Sequence, residues 1–144
     1  MKTGWLHMGR VSFWLRGQPI GKGRPRFTRQ GRAYTPAKTK DYEHRLAAVA
    51  SDAMIDIKQD PITVPCKLYV LAQFEIPKSW SKKRREAALV GEVFPGKPDI
   101  DNIVKIVADA LNGVCFEDDA QVIEVMARKK YGDPVVLVTV EWDE

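Results

Sequence analysis

The stretch Lys97-Pro98-Asp99-Ile100-Asp101-Asn102-Ile103-Val104-Lys105 attaches two aspartates and a lysine to the start of an apolar segment. Apolar residues continue to Leu111 at spacings that cover more than half of a helical surface, which is typical of a largely buried helix. Asn112-Gly113 is a favourable helix end, because both residue types tolerate the left-handed backbone there. The pattern predicts a helix from Asp101 to Leu111 with acidic residues gathered at its start.

The carboxylates at this helix start suggest a metal site. Asp99 and Asp101 are two residues apart, and in an extended chain such residues point the same way. Clustered carboxylate oxygens suit magnesium, which takes one or two carboxylates together with substrate phosphate. Two structural interpretations stay open: Asp101 as an N-cap worth about 1 kcal/mol, or an Asp101–Lys105 ion pair worth about 0.3–0.5 kcal/mol. Neither explains the second aspartate, Asp99.

A basic segment precedes this region. From Lys22 to Lys40 the chain carries seven basic residues and no acidic one, with Phe27 and Tyr34 among them. Such charges repel one another unless an anion binds, and arginine suits two-point contact with phosphate. For any single residue a solvated loop is the alternative. The segment predicts a nucleic-acid contact through Lys22, Arg24, Arg26, Arg29 and Arg32.

Length and composition indicate a single globular domain. The chain has 144 residues, of which 44% are hydrophobic and 29% charged, enough for one core but not two. Residues 1–10 show little periodicity and are expected to be a flexible lead-in, with one domain spanning residues 11–144. Cys66 and Cys115 are expected to be reduced core thiols. No apolar run or signal-peptide pattern indicates a membrane partner, so a cytoplasmic location is expected.

The periodicity predicts an α+β fold with about four strands in a small, mostly antiparallel mixed sheet and helices packed on it. The strand from Lys67 to Ile76 is expected to be central, because its middle is almost continuously apolar. Ser79 or Ser81 is expected to cap a short basic helix ending near Leu89, whose basic face suits solvent and DNA equally. The other predicted elements are a strand at Val11–Leu15, a helix capped by Thr35 and running to about Ile57, and a hairpin of two strands at about Val122–Met126 and Val135–Trp142.

These motifs together resemble the RusA family of Holliday-junction resolvases. The resemblance runs from about Val11 to Glu141 and implies a RusA-like fold. It also implies a homodimeric endodeoxyribonuclease that depends on magnesium, which manganese is expected to replace, in a bacterial or prophage host. Such an enzyme resolves four-way branched DNA by paired symmetrical nicks during recombination and repair. The motifs that carry the resemblance are Lys97–Lys105, Asp109-Ala110-Leu111-Asn112-Gly113, Asp118-Asp119-Ala120-Gln121-Val122, Gly21-Lys22-Gly23-Arg24-Pro25-Arg26 and Tyr34-Thr35-Pro36.

The resemblance implies a catalytic set of Asp99, Asp101, Asp119 and Lys105, in which the three aspartates bind the metal. Asp118 is the less certain neighbour of Asp119, and three consecutive acids there also fit a solvated turn. Two other functions stay open. A non-catalytic protein that binds DNA junctions would explain the bases but not the acids. A metal enzyme for a small phosphorylated substrate would explain the acids but leave the basic segment without a role.

Overall fold

The computed structural model describes residues 8–144, which fold into three α-helices, a four-stranded sheet and a separate two-stranded hairpin. The mixed sheet is open, and the predicted α+β class is confirmed. The elements in chain order are β1 (Met8–Arg16), β2 (Arg26–Phe27), β3 (Ala33–Tyr34), α1 (Ala37–Asp56), β4 (Cys66–Phe74), α2 (Lys82–Leu89), α3 (Ile100–Leu111), a 3₁₀ turn (Asp119–Gln121), β5 (Val122–Tyr131) and β6 (Val135–Asp143).

Strand β4 lies inside the sheet, whose order is β1-β6-β4-β5. Alternate residues from Cys66 to Phe74 are buried, which confirms the predicted central strand. The predicted hairpin of the last two strands is wrong, because β4 separates β5 from β6. Helices α2 and α3 form the crossover that a parallel β4–β5 pair requires. Strand β6 then pairs antiparallel with β1 and β4. It buries Val136, Val138, Val140 and Trp142, which alternate along the strand.

Helices α1 and α3 pack on each other, and α1 also packs on β1. Helix α3 buries Ile103, Ile106 and Val107, as its apolar pattern predicts. The predicted cap of α1 is wrong by one residue: Pro36 is the N-cap, with ψ of 142°, and no side chain caps this helix. The extended backbone of Pro36 delays the helix to Ala37, so Thr35 lies outside it.

Strand β1 begins earlier than predicted. Its register with β6 starts at Met8, opposite Asp143. The predicted lead-in, residues 1–10, therefore overlaps the strand by three residues, and residues 1–7 lie outside the described part of the chain. Gly9 permits the early start, because a Cβ there would lie 2.2 Å from Cε2 of Trp142. Over residues 8–144, no helix combines the length and apolar character needed to span a membrane.

Candidate active site and nucleic-acid interface

The start of α3 presents two aspartates that the helix does not use. Asp99 is the N-cap residue, yet its side chain makes no capping hydrogen bond. Instead, Lys97 Nζ donates to Asp99 Oδ1 at 2.7 Å. This hydrogen bond and the charge of Lys97 lower the pKa of Asp99. The Asp99 carboxylate is therefore exposed and ionised at a helix end where the helix dipole favours negative charge.

Asp101 lies in the first turn of α3, so its interpretation as an N-cap is wrong. Its side chain is exposed. Among the described residues it forms no ion pair, so the Asp101–Lys105 interpretation is wrong as well. Lys105 is also exposed, one helical turn further on. Both structural explanations of Asp101 fail, and its carboxylate is free for a ligand.

Lys129 of β5 fixes the segment that leads into α3. Its Nζ donates to the carbonyl oxygen of Gly96 at 2.7 Å and to that of Pro98 at 3.2 Å. Its positive charge also contributes to the lowered pKa of Asp99. Sequence reasoning missed Lys129, because nothing in the local pattern of β5 indicates a contact with a loop about thirty residues earlier in the chain.

The Asp118-Asp119-Ala120-Gln121 motif builds the turn at the other end of α3. Asp118 accepts a hydrogen bond from the Ala120 N–H at 3.2 Å, and the Asp118 N–H donates to Gln121 Oε1 at 2.9 Å. This is a capping box. Asn112, the C-cap of α3, accepts from the Asp119 N–H through its Oδ1 at 2.8 Å. Asp118 is thus a structural residue of the turn.

Asp119 keeps a carboxylate whose surroundings disfavour its charge. A side-chain hydrogen bond with Asp118 is the main cause that raises the pKa of Asp119, followed by partial burial. Asn112 opposes this shift, while the negative charges of Asp118 and Asp109 add to it. Glu117, Asp118 and Asp119 are nonetheless all exposed, so the solvated-turn interpretation stays open.

The three aspartates of the implied metal-binding set do not come together within a single chain. Helix α3 has 12 residues and so spans about 18 Å, with Asp99 and Asp101 at one end and Asp119 at the other. In the part of the chain that the structure describes, no three His, Cys, Asp or Glu side chains are arranged to hold a metal ion. The exposed oxygens at each end suit magnesium, which needs only one or two carboxylates.

Lys22 lies against α3 and not in open solvent. Its N–H donates to the Asn102 carbonyl at 2.9 Å. Its Nζ lies 3.0 Å from Asp109 Oδ2 and also contacts the Glu43 carboxylate. Burial lowers the pKa of Lys22, but the hydrogen bonds to Glu43 and Asp109 outweigh this and raise it. Of the predicted DNA-contact residues, Lys22 is the one whose charge two internal acids neutralise.

The other predicted DNA-contact residues are exposed arginines. Within residues 8–144 they form no ion pairs with acidic side chains. Phe27 and Tyr34 are 68% and 46% exposed on the β2–β3 hairpin. These arginines are Arg24, just before the hairpin, and Arg26, Arg29 and Arg32 within it.

Helix α2 carries a second set of exposed bases. Ser81 is its N-cap and accepts from the Arg84 N–H at 3.2 Å, which confirms one of the two predicted caps. The Arg84 guanidinium lies 3.9 Å from the centre of the Trp80 ring, and Trp80 packs edge-on against Tyr131 of β5. These contacts connect the basic helix to the end of β5 that also holds Lys129.

Exposed carboxylates at a helix start, beside exposed arginines that form no ion pair within residues 8–144, define a candidate site for cleaving a phosphodiester. Residues 16–141 match the sequence model of the family Endodeoxyribonuclease RusA. The chain is 38% identical over 129 residues to "Uncharacterized protein YqaN" of Bacillus subtilis (strain 168), an alignment that covers 85% of this chain and 89% of that relative. This chain belongs to the RusA endodeoxyribonuclease family, which confirms the resemblance. Membership implies a nuclease that acts on Holliday junctions.

Proposed function

We propose that the protein is a magnesium-dependent endodeoxyribonuclease that resolves Holliday junctions by paired symmetrical nicks in opposing strands. Its role is in DNA recombination and repair, in the cytoplasm of a bacterial or prophage-carrying host. The observation that carries this proposal is the pair of exposed carboxylates, Asp99 and Asp101, which neither cap α3 nor form an ion pair with Lys105. Family membership supports the nuclease class.

The proposed catalytic residues are Asp99, Asp101, Asp119 and Lys105. The three aspartates would hold magnesium, or manganese in its place. When bound, the ion lowers the pKa of a water molecule and polarises the scissile phosphate. Lys105, exposed one turn beyond Asp101, neutralises charge that grows on the phosphate oxygens or orients the attacking water.

A homodimer is part of the proposal, because a junction with two-fold symmetry needs two equivalent cuts and a C2 dimer has two equivalent sites. The separation of the acids along α3 adds a second reason. One chain keeps Asp119 at the opposite end of α3 from Asp99 and Asp101. In a dimer, the partner's Asp119 can complete the set at the Asp99–Asp101 end. Each active site would then contain residues of both protomers.

Light scattering coupled to gel filtration tests the homodimer. Twice the mass of one chain is expected, and the mass of a single chain would contradict the dimer.

The proposed DNA partner is four-way branched DNA, held by phosphate contacts from Arg24, Arg26, Arg29 and Arg32. They are exposed and form no ion pair with an acidic side chain in the part of the chain that the structure describes, which supports this role. Each phosphate contact adds to the dependence of affinity on salt, since binding releases counterions. Replacing Arg24 and Arg26 by alanine is expected to weaken binding and flatten the salt slope. Lys22 is the exception in the predicted set, because Glu43 and Asp109 neutralise its charge.

The decisive experiment uses an end-labelled synthetic four-way junction, incubated with magnesium, manganese or EDTA and run on a denaturing gel. Paired symmetrical nicks are expected with either metal and none with EDTA, while a linear duplex of the same sequence stays intact. Tight binding without nicks under both metals would leave the alternative, a non-catalytic junction-binding protein. That alternative accounts for the arginines but gives Asp99 and Asp101 no role.

A further inference from the structure

The base of the β2–β3 hairpin is held between α1 and α3. A Cβ on Gly21 would lie 2.8 Å from Cβ of Pro98, and one on Gly23 would lie 2.7 Å from Thr39 Oγ1. The Gly23 N–H donates to the same oxygen at 3.3 Å. The backbone of Lys22, between the glycines, bonds to Asn102. Two glycines are needed here because helices on both sides approach the backbone closely.

Lys22 joins the same two helices through its side chain. Glu43 belongs to α1 and Asp109 to α3, and the Lys22 ammonium contacts both carboxylates. The side chains of Lys22, Glu43 and Asp109 are only 18%, 19% and 27% exposed. A charge neutralised in this way is poorly placed to contact phosphate. Its position suits a residue that holds the hairpin base against the segment carrying Asp99 and Asp101.

The hairpin beyond this base is ordered but packs on little else. The Thr28 N–H donates to the Arg32 carbonyl at 2.9 Å, and Thr28 Oγ1 accepts from the Arg32 N–H at 3.1 Å. Phe27 is paired across the hairpin with Ala33, a residue too small to cover an aromatic ring. A two-stranded hairpin is marginally stable alone in water, so an exposed phenylalanine on it has no evident structural role.

We propose that Phe27 stacks on an unpaired or unstacked nucleobase at the branch point of DNA, and that Lys22 is a positioning residue that holds this hairpin beside the start of α3. The proposal rests on the proposed function. Aromatic side chains stack on any base, since every base has a π face. Four exposed arginines, with no acid between Lys22 and Lys40, complement the phosphates around such a base.

Phe27→Ala tests the stacking, with binding measured in EDTA so that no DNA is cut. Affinity for a four-way junction is expected to fall about 10-fold, while affinity for linear duplex and the salt slope stay unchanged. Phe27→Tyr is expected to restore binding. A 2-aminopurine at the branch point is expected to be quenched by wild type and not by Phe27→Ala. Ile55→Ala is the matched control, since Ile55 is 67% exposed near the end of α1.

The stacking role is overturned if Phe27→Ala binds junctions like wild type, if it weakens duplex binding equally, or if Phe27→Tyr fails to restore binding. The wild-type protein reports separately on the proposed function. If wild type shows no preference for junctions over duplex, the proposed function fails and the stacking role fails with it. If wild type shows that preference and Phe27→Ala retains it, only the stacking role fails.

Lys22→Met tests the positioning role, first without DNA. Amide hydrogen exchange of the hairpin, residues 26–34, is expected to be several-fold faster than in wild type, with β4 amides unchanged as the control for global stability. On junctions, kcat is expected to fall at an unchanged salt slope, and Lys22→Arg is expected to restore both properties. Unchanged hairpin exchange overturns the role. So does a salt slope reduced by about one, the loss expected for a phosphate contact.

Discussion

The two ends of α3 carry aspartates in similar sequence settings but use them differently. At the N-terminal end, Asp99 and Asp101 are exposed, and the helix draws on neither as a cap. At the C-terminal end, Asp118 belongs to a capping box, and its hydrogen bond raises the pKa of Asp119. Folding therefore uses Asp118 as a cap, whereas the side chains of Asp99, Asp101 and Asp119 cap no backbone group among residues 8–144.

Hydrogen bonds to the backbone distinguish the structural acids from the candidate catalytic ones. Asp118 satisfies the Ala120 N–H, so a change there affects the turn. Within residues 8–144 the Asp101 side chain caps no backbone group and forms no ion pair, and an acid without a structural partner is a candidate for function. The ambiguity between Asp118 and Asp119 is also reduced, because the capping geometry gives Asp118 a structural role.

The largest expected effect is that of Asp101→Asn on cleavage. Loss of a metal-binding carboxylate is expected to lower junction cleavage by more than the about 10–100-fold typical of an outer-shell partner. The free energy of unfolding is expected to change by less than about 0.5 kcal/mol, because the side chain is exposed and unpaired. Gel shift in EDTA should show unchanged junction affinity. Lost binding or lost stability would make Asp101 a structural residue.

The second prediction concerns which protomer supplies Asp119. Asp101→Asn and Asp119→Asn are each expected to be inactive alone. In a mixed dimer of the two, a site shared between protomers leaves one complete set of Asp99, Asp101 and Asp119. Mixing the purified variants is then expected to restore nicking, mostly in one strand per junction. Continued inactivity, with subunit exchange verified by mass spectrometry, would assign all three aspartates to one chain.

A smaller effect is expected at the C-terminal end of α3, where the two adjacent acids should differ. Asp118→Ala removes a capping side chain and is expected to lower the free energy of unfolding by about 1 kcal/mol. Asp119→Asn is expected to be neutral or slightly stabilising, because it removes a charge beside Asp118. Urea unfolding measures both. Equal destabilisation by the two variants would contradict the division between a structural and a free acid.

The smallest expected effect is a loss of stability at alkaline pH that depends on Lys22. This residue contacts α3 between its two ends, at Asn102 and Asp109. Contacts with Glu43 and Asp109 raise its folded-state pKa above 10.5. The stability from these contacts is complete below that value and is lost as pH rises through the folded-state pKa. Urea midpoints should therefore fall more for wild type than for Lys22→Met between about pH 8 and about pH 11. Burial raises the pKa of Tyr42 to about 12. Tyr42 is present in both wild type and Lys22→Met, so its ionisation does not account for the difference between them.

Local patterns in the sequence were sufficient for much of the fold and part of the site. The apolar spacing of Ile103, Ile106 and Val107 predicted a buried helix, and the apolar middle of β4 predicted a central strand. Ser81 was one of two serines expected to cap α2. These features depend on interactions within a few residues, such as helical periodicity and capping, so they can be read without knowing which segments meet.

Contacts between distant segments could not be read in the same way. The order of β5 and β6 depends on a crossover through α2 and α3, and the partners of Lys22 and Lys129 lie on other elements. The sequence alone was sufficient to identify the acidic residues, the basic residues and the helix that form the candidate site. Only the tertiary structure decided that Asp119 lies a helix length away from Asp101. The physical reason is that α3 is a rigid helix, with Asp101 in its first turn and Asp119 bonded to its C-cap residue Asn112.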